Sequence, residues 1–177
     1  MKKSFVILPL VFCLIISCQD KQATAELEEL KAQKELEEQN KALLEKNFEE
    51  LNNKNLQFID ELYDPQYSFY SPSINPNPTS LEDMKGILES VFKAFPDANW
   101  SIKEIFAEGD RVIVWDVFSG THENEFRGIP ATGNKVEGSS IEIFKIENGK
   151  ILEERQEANM LERMLQMGME LKLKETE

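Results

Sequence analysis

The sequence predicts an α+β fold: helices first, then a run of antiparallel strands, then a short helix. Three observations carry that reading. Apolar residues recur at helical spacing, first as Leu44, Phe48, Leu51, Phe58, Ile59 and Leu62, then as Leu81, Met84, Leu88, Val91, Phe92 and Phe95. Residues 112–118 and 136–146 are rich in β-branched and aromatic side chains that fit a pleated surface, and residues 151–158 form a third run. Tight-turn signals separate these runs. In Glu147-Asn148-Gly149-Lys150 both central residues tolerate positive φ, and Glu108-Gly109-Asp110-Arg111 joins the 100–107 run to the next strand. The expected product is a meander of at least four strands.

The chain has 177 residues, enough for one domain with extensions. Lys2 and Lys3 precede an apolar run over residues 5–16 that is too short to span a bilayer as a helix. The run ends in Ile15-Ile16-Ser17-Cys18, which resembles a bacterial lipobox. Residues 1–17 therefore read as a lipoprotein signal peptide, with cleavage before Cys18 and lipidation of its thiol; the alternative is an ordinary secretory signal. Cys13 and Cys18 are the only cysteines, so the body of the chain has no disulfide and no cysteine-based metal site. Acyl chains would hold the protein on a membrane surface of the cell envelope, periplasmic or outer-membrane face, without spanning it. Losing Lys2 and Lys3 takes the formal charge from −13 to about −15, which disfavours nucleic acid and acidic headgroups and leaves the lipid as the only membrane contact.

Residues 18–46 read as a polar tether and a charged helical stalk, rich in Glu, Lys and Leu. Charge pairs fit its exposed face, whereas the apolar spacing makes no continuous heptad seam; a solvated stalk and a short coiled-coil dimer both fit. The globular domain is expected over 47–170, with a charged tail over 171–177. Its first helix, 55–62, stops at Asp64-Pro65. A short strand over 67–70 follows, and then 71–78, whose three prolines predict an irregular loop. Thr79 or Ser80 caps the next helix, with acids in its first turn, and Pro96 ends it. A last amphipathic helix is expected over 160–169.

The words Phe95-Pro96-Asp97, Ala107-Glu108-Gly109-Asp110, Gly120-Thr121-His122, Gly128-Ile129-Pro130-Ala131-Thr132-Gly133 and Phe144-Lys145-Ile146 before Asn148-Gly149-Lys150-Ile151 resemble the SnoaL-like polyketide cyclases, or ester cyclases, of the NTF2-like superfamily. The resemblance covers residues 47–168. It implies an NTF2-like cone, in which a curved antiparallel sheet wraps round the helices and encloses an apolar cavity. It also implies ring closure by intramolecular aldol condensation. That chemistry needs a base with a raised pKa, a donor for the enolate oxygen and a dry pocket, with no cofactor or metal. One histidine excludes a multi-histidine metal site.

Glu142 is the first candidate base: it alternates with Ile141 and Ile143 and shares a strand face with Phe144, so it is either a desolvated pocket carboxylate or a solvated one. His122, at a strand end, is the second catalytic candidate, expected near the cavity mouth. Trp115 and Asp116 must lie on opposite faces, and Asp116 is expected on the wet one. In the last strand Arg155 and Asn159 stand where the family commonly shows an aromatic and an Asp. Arg155, Phe144 and Asn159 are the expected substrate-binding residues, with Asn159 also able to cap the last helix. Three functions are open: a cyclase or isomerase acting by proton abstraction on a small apolar carbonyl compound, a non-catalytic lipoprotein binding a small apolar ligand, or a purely structural stalk-and-domain dimer. An enclosed carboxylate with a donor beside it marks the first. Ile141 and Ile143 on the other face of the sheet predict a homodimer.

Overall fold

The computed structural model describes residues 8–72 and 75–173, with side chains from residue 21 onward except that of Pro76. Residues 1–7 and the side chain of Cys18, on which the signal peptide and lipid anchor were read, lie outside the described residues. Among the described residues no helix is long and apolar enough to cross a membrane.

Helix α1 runs over Leu8–Asn52. The chain divides into two compact units, Met1–Leu36 and Glu37–Glu177. In the first, Leu27, Leu30 and Leu36 are exposed, as a solvated helix without a buried seam would have them. In the second, α1 is part of the domain from its start. Glu37 accepts from the backbone N–H of Gly109, and the Asn40 amide donates to the Gly109 carbonyl. Leu44, Phe48 and Leu51 are buried. Asn52 closes the helix by exchanging two hydrogen bonds with the backbone of Trp100. Those side-chain amides satisfy the edge strand at both ends, where its free backbone groups would otherwise invite another chain.

After α1 come α2 (Phe58–Leu62), β1 (Tyr63–Ser71), β2 (Asn75–Ser80), α3 (Leu81–Ala94), β3 (Asn99–Glu108), β4 (Arg111–Thr121), β5 (Lys135–Glu147), β6 (Lys150–Ala158) and α4 (Met160–Gln166). One six-stranded sheet has the order β2-β1-β6-β5-β4-β3. The meander β3 to β6 is antiparallel throughout, as the turns required. Asn148 and Gly149 take φ of 52° and 72°, the conformation that a two-residue hairpin needs. β1 adds to the free edge of β6 in parallel.

The expected loop at 71–78 is instead strand at both ends, Ser71 closing β1 and residues 75–78 opening β2. Pro76 and Pro78 are tolerated because β2 is the edge strand, pairing with β1 alone. Ser80 caps α3 by accepting from the Asp83 N–H, with Glu82 and Asp83 in the first turn.

Two β-bulges decide which side chains face inward. Ile146 pairs with Ile151 while Lys145 pairs with Glu153, so Leu152 is an extra residue in β6. In the same way Lys103 is extra in β3. The core between helices and sheet joins Leu44, Phe48, Phe58, Ile59, Met84 and Leu88 to Val112, Val114, Phe144 and Ile151. A second cluster gathers Phe95, Ala98, Phe118, Val136 and Met167 at the other end.

Candidate active site

The inner face of β4 and β5 carries polar groups where an apolar core would be expected. Asp116 is 0% exposed and Glu142 5%, and Glu154 on β6 is 7% exposed. Cross-strand pairing supplies their partners. Ser140 stands opposite Asp116, and its hydroxyl donates to Asp116 Oδ1 at 2.7 Å. Gln156 stands opposite Glu142, and its Nε2 donates to Glu142 Oε1 at 2.6 Å. Ser71 donates to the Gln156 carbonyl oxygen, which fixes the amide's orientation. Glu154 stands opposite Phe144, one inward position along from Gln156, and its Oε2 accepts from the Tyr67 hydroxyl at 2.6 Å. Tyr63 packs edge-on against Tyr67 with ring centroids 4.9 Å apart, and the Asn47 side chain hydrogen-bonds the Tyr63 hydroxyl.

One guanidinium faces this group. Arg163 on α4 donates from Nη2 to the Gly138 carbonyl at 2.7 Å and to Ser140 Oγ at 3.5 Å, and lies over the Phe118 ring. Its approach depends on Gly138: a Cβ there would meet Arg163 Nε at 2.5 Å and Cγ at 2.8 Å. Arg163 forms no ion pair within 4 Å with a carboxylate among the described residues, so its influence on Asp116 and Glu142 is a through-space field.

Glu142, Glu154, Gln156, Tyr63, Asn47 and Arg163 line a cavity of about 130 Å³ whose other walls, apart from Arg127, are apolar, Phe48, Phe69, Leu88, Phe118 and Phe144 among them. Asp116 is not part of this lining, and its buried Oδ2 has no hydrogen-bond partner among the described residues. Ile87, Phe126 and Arg127 line both the cavity and an open surface groove between α3, β2 and the 122–134 loop, which gives a way in.

Burial is the main electrostatic fact. Desolvation pushes the Glu142 carboxyl well above its ordinary range, with the charges of Glu154 and Asp116 adding to it. Burial likewise raises Glu154 to about 7 and raises Asp116. Tyr63 and Tyr67 are pushed well above ordinary phenols, first by burial and then by Glu154. Carboxyls that shift one another give up protons as a set, so this face holds its protons to higher pH than solvated carboxyls do.

The placement of the expected residues divides. Glu142 and Phe144 line the cavity. Asp116, expected on the wet face, is buried; Trp115 takes the outer face at 42% exposure. Arg155 faces outward, paired with Glu153 at 2.9 Å and lying over the Tyr70 ring. The β6 bulge explains this: past Leu152 the alternation inverts, so Glu154 and Gln156 turn inward and Arg155 turns out. Asn159 is an exposed cap of α4, accepting from the Glu162 N–H, and is not in the cavity lining. His122 is fully buried and is also absent from the lining. Its backbone carbonyl receives the N–H groups of Thr132 and Gly133, its Nδ1 meets Thr132 Oγ1 at 3.1 Å, and its ring stacks on Phe95. It ties down the 122–134 loop. Sequence reasoning missed Glu154, Gln156, Tyr63, Tyr67, Asn47 and Arg163. The one available signal was a glycine, Gly138, inside a strand, which marks a close approach.

The chain belongs to the SnoaL-like polyketide cyclase family, whose sequence pattern it matches over residues 42–167. Solved structures share the fold. AclR, a proposed hydroxylase from Streptomyces galilaeus, is 31% identical with a TM-score of 0.69, over 75% of this chain and 97% of AclR. IdmH, a proposed polyketide cyclase from Streptomyces antibioticus, is 23% identical with a TM-score of 0.67, over 73% and 99%. TsrD from Streptomyces laurentii is 24% identical with a TM-score of 0.65, over 73% and 95%. No curated protein matches the chain.

Proposed function

We propose that this chain is an acid–base enzyme of the cyclase or isomerase type, in which Glu142 takes a proton from a carbon next to a carbonyl in a small apolar substrate. One observation carries the reading. A carboxylate anchored through one oxygen by Gln156, with no hydrogen bond to its other oxygen among the described residues, is set in a largely apolar cavity with hydrogen-bond donors beside it. A carrier for an apolar ligand gains nothing from three buried acids, each of which is costly to desolvate. A general base gains the raised pKa that proton abstraction at neutral pH requires. Family membership supports the same chemistry. The names of the solved relatives include a cyclase and a hydroxylase, so the proposal stops at the shared need for a carbanion and does not choose the bond that follows.

The test uses cyclohexanone as a generic probe, with loss of its α-proton signal in D₂O followed by NMR. The wild type should accelerate exchange, and Glu142→Gln should abolish the acceleration while preserving the fold, because the amide matches the carboxylate in shape but takes no proton. Undiminished exchange in that variant would refute the assignment. The proposal also keeps Cys18 as a lipid anchor in the cell envelope. Cys18→Ala should then leave an uncleaved or mislocalised precursor with no acyl label; normal processing and membrane retention of that variant would remove the anchor from the account.

A further inference from the structure

Proton abstraction creates a charge that the base does not neutralise. When the C–H bond breaks, the proton forms an O–H bond on Glu142 and the electron pair moves onto the carbonyl oxygen, making an enolate. In a dry cavity that oxygen needs a donor placed in advance. Arg163 Nη2 is committed to Gly138 and Ser140, its Nε, without a hydrogen-bond partner among the described residues, lies against Gly138, and one N–H of the Gln156 amide is given to Glu142.

Glu154 is placed differently. It is buried, lines the cavity beside Glu142, and is in no ion pair among the described residues. The Leu152 bulge turns it inward at the level of Phe144, diagonal to Glu142 across the β5–β6 pair. Tyr67 donates to its Oε2, which leaves Oε1 as the oxygen for a proton of its own; among the described residues no hydrogen bond engages Oε1.

We propose that Glu154, in its neutral form, is a second catalytic residue that donates a hydrogen bond from Oε1 to the enolate oxygen, with Tyr67 as its positioning residue. This rests on the proton-abstraction reading. Glu154 sits among groups from several elements. From β1 it meets the neutral phenols of Tyr63 and Tyr67, and from β5 and β4 the acids Glu142 and Asp116. The guanidinium of Arg163 on α4 acts on Asp116 and Glu142. Burial and neighbouring acids raise both carboxyls, opposed at Glu142 by the Gln156 donor and Arg163 and at Glu154 by the Tyr67 donor. The two therefore give up protons as a coupled pair in which Glu154 can hold a proton while Glu142 acts as base. An acid kept neutral by an apolar site is a known way to hold a donor against a developing oxyanion. Where the substrate has a C=C bond beside the carbon that loses the proton, the electron pair extends over a dienolate, and Glu142 can return the proton at the far end of that double bond, which is an isomerisation with no co-reactant.

Two arms test this at about pH 6. In the exchange assay, Glu154→Leu removes the donor and should slow exchange by about 10²–10³-fold, while Glu154→Gln, which keeps an N–H in the same place, should retain most of it. In the binding arm, 4-nitrophenol supplies an ionised oxygen resembling the enolate, read by the absorbance of bound phenolate. It is measured in the Glu142→Gln background, which mimics the protonated base. Phenolate affinity should fall at least about tenfold on adding Glu154→Leu, fall less on adding Tyr67→Phe, and persist on adding Glu154→Gln. Equal losses for the Gln and Leu variants, or no loss for Leu in either arm, would overturn the donor role and leave Glu142 standing. Full exchange in Glu142→Gln would instead sink the underlying reading, while the binding arm would still report on Glu154.

Discussion

The two faces of the β4–β5 ribbon invert the usual arrangement. Inside, Asp116, Ser140 and Glu142 are buried; outside, Trp115, Ile141 and Ile143 are exposed, with Ile113 and Phe106 alongside in register. The same alternating backbone therefore buries acids and exposes hydrophobic side chains. Neither face is arranged for the stability of an isolated monomer. The inner face forfeits desolvation energy to gain carboxyls that retain protons, and the outer face leaves apolar area that a partner could cover.

The outer face gives the largest expected effect. We propose that a second copy of this chain covers it, so the domain should be a dimer in solution at micromolar concentration. Putting charges at its centre with Ile141→Glu and Ile143→Glu should weaken that dimer at least about 10³-fold, roughly 4 kcal/mol, because four unpaired carboxylates would be buried across the interface. Sedimentation equilibrium of the wild type and the double variant measures this, and a monomeric wild type would remove the proposal.

The inner face gives the next. Burial raises Glu154 from an ordinary 4.5 to about 7, so the folded state holds that proton more tightly than the unfolded chain does. Its favourable contribution is fully present below about pH 4.5 and is lost as pH rises through about 7, a change of roughly 3 kcal/mol. Glu154→Gln carries no such proton. Relative to wild type the variant should gain stability by about that amount between pH 4 and 8, read by urea unfolding across the range. A constant difference would show that the carboxyl is not destabilised by its site.

Much of the fold was legible because its signals are local. The Asn148-Gly149 turn, the Ser80 and Asn159 caps and the periodicity of α3 each depend on a few neighbouring residues. The site was legible only in part because its determinants are distant. Leu152 reads as one more apolar strand residue, yet as a bulge it exchanges Arg155 for Glu154 in the cavity. Asp116 was assigned to water on the assumption that Trp115 belongs in the core; alternation fixes only that they oppose each other, and the outer face proved to be the apolar one. His122 is buried by a loop that folds back on it and by Phe95, far away in sequence. The prolines of β2 argued against a strand, and the edge position that admits them is a property of the assembled sheet.

The central claim is that the inner face holds protons at neutral pH, and the most direct measurement is a carbon-13 NMR titration of the glutamate side-chain carboxyls in the folded protein. Two signals, assigned through Glu142→Gln and Glu154→Gln, should titrate as a coupled pair with apparent values well above the ordinary 4.5, one of them near 7 or higher, and each single variant should change the titration of the carboxyl that remains. If Glu142 and Glu154 both lose their protons near 4.5, independently of one another, the carboxyls are solvated in practice and the acid–base account of this cavity is wrong.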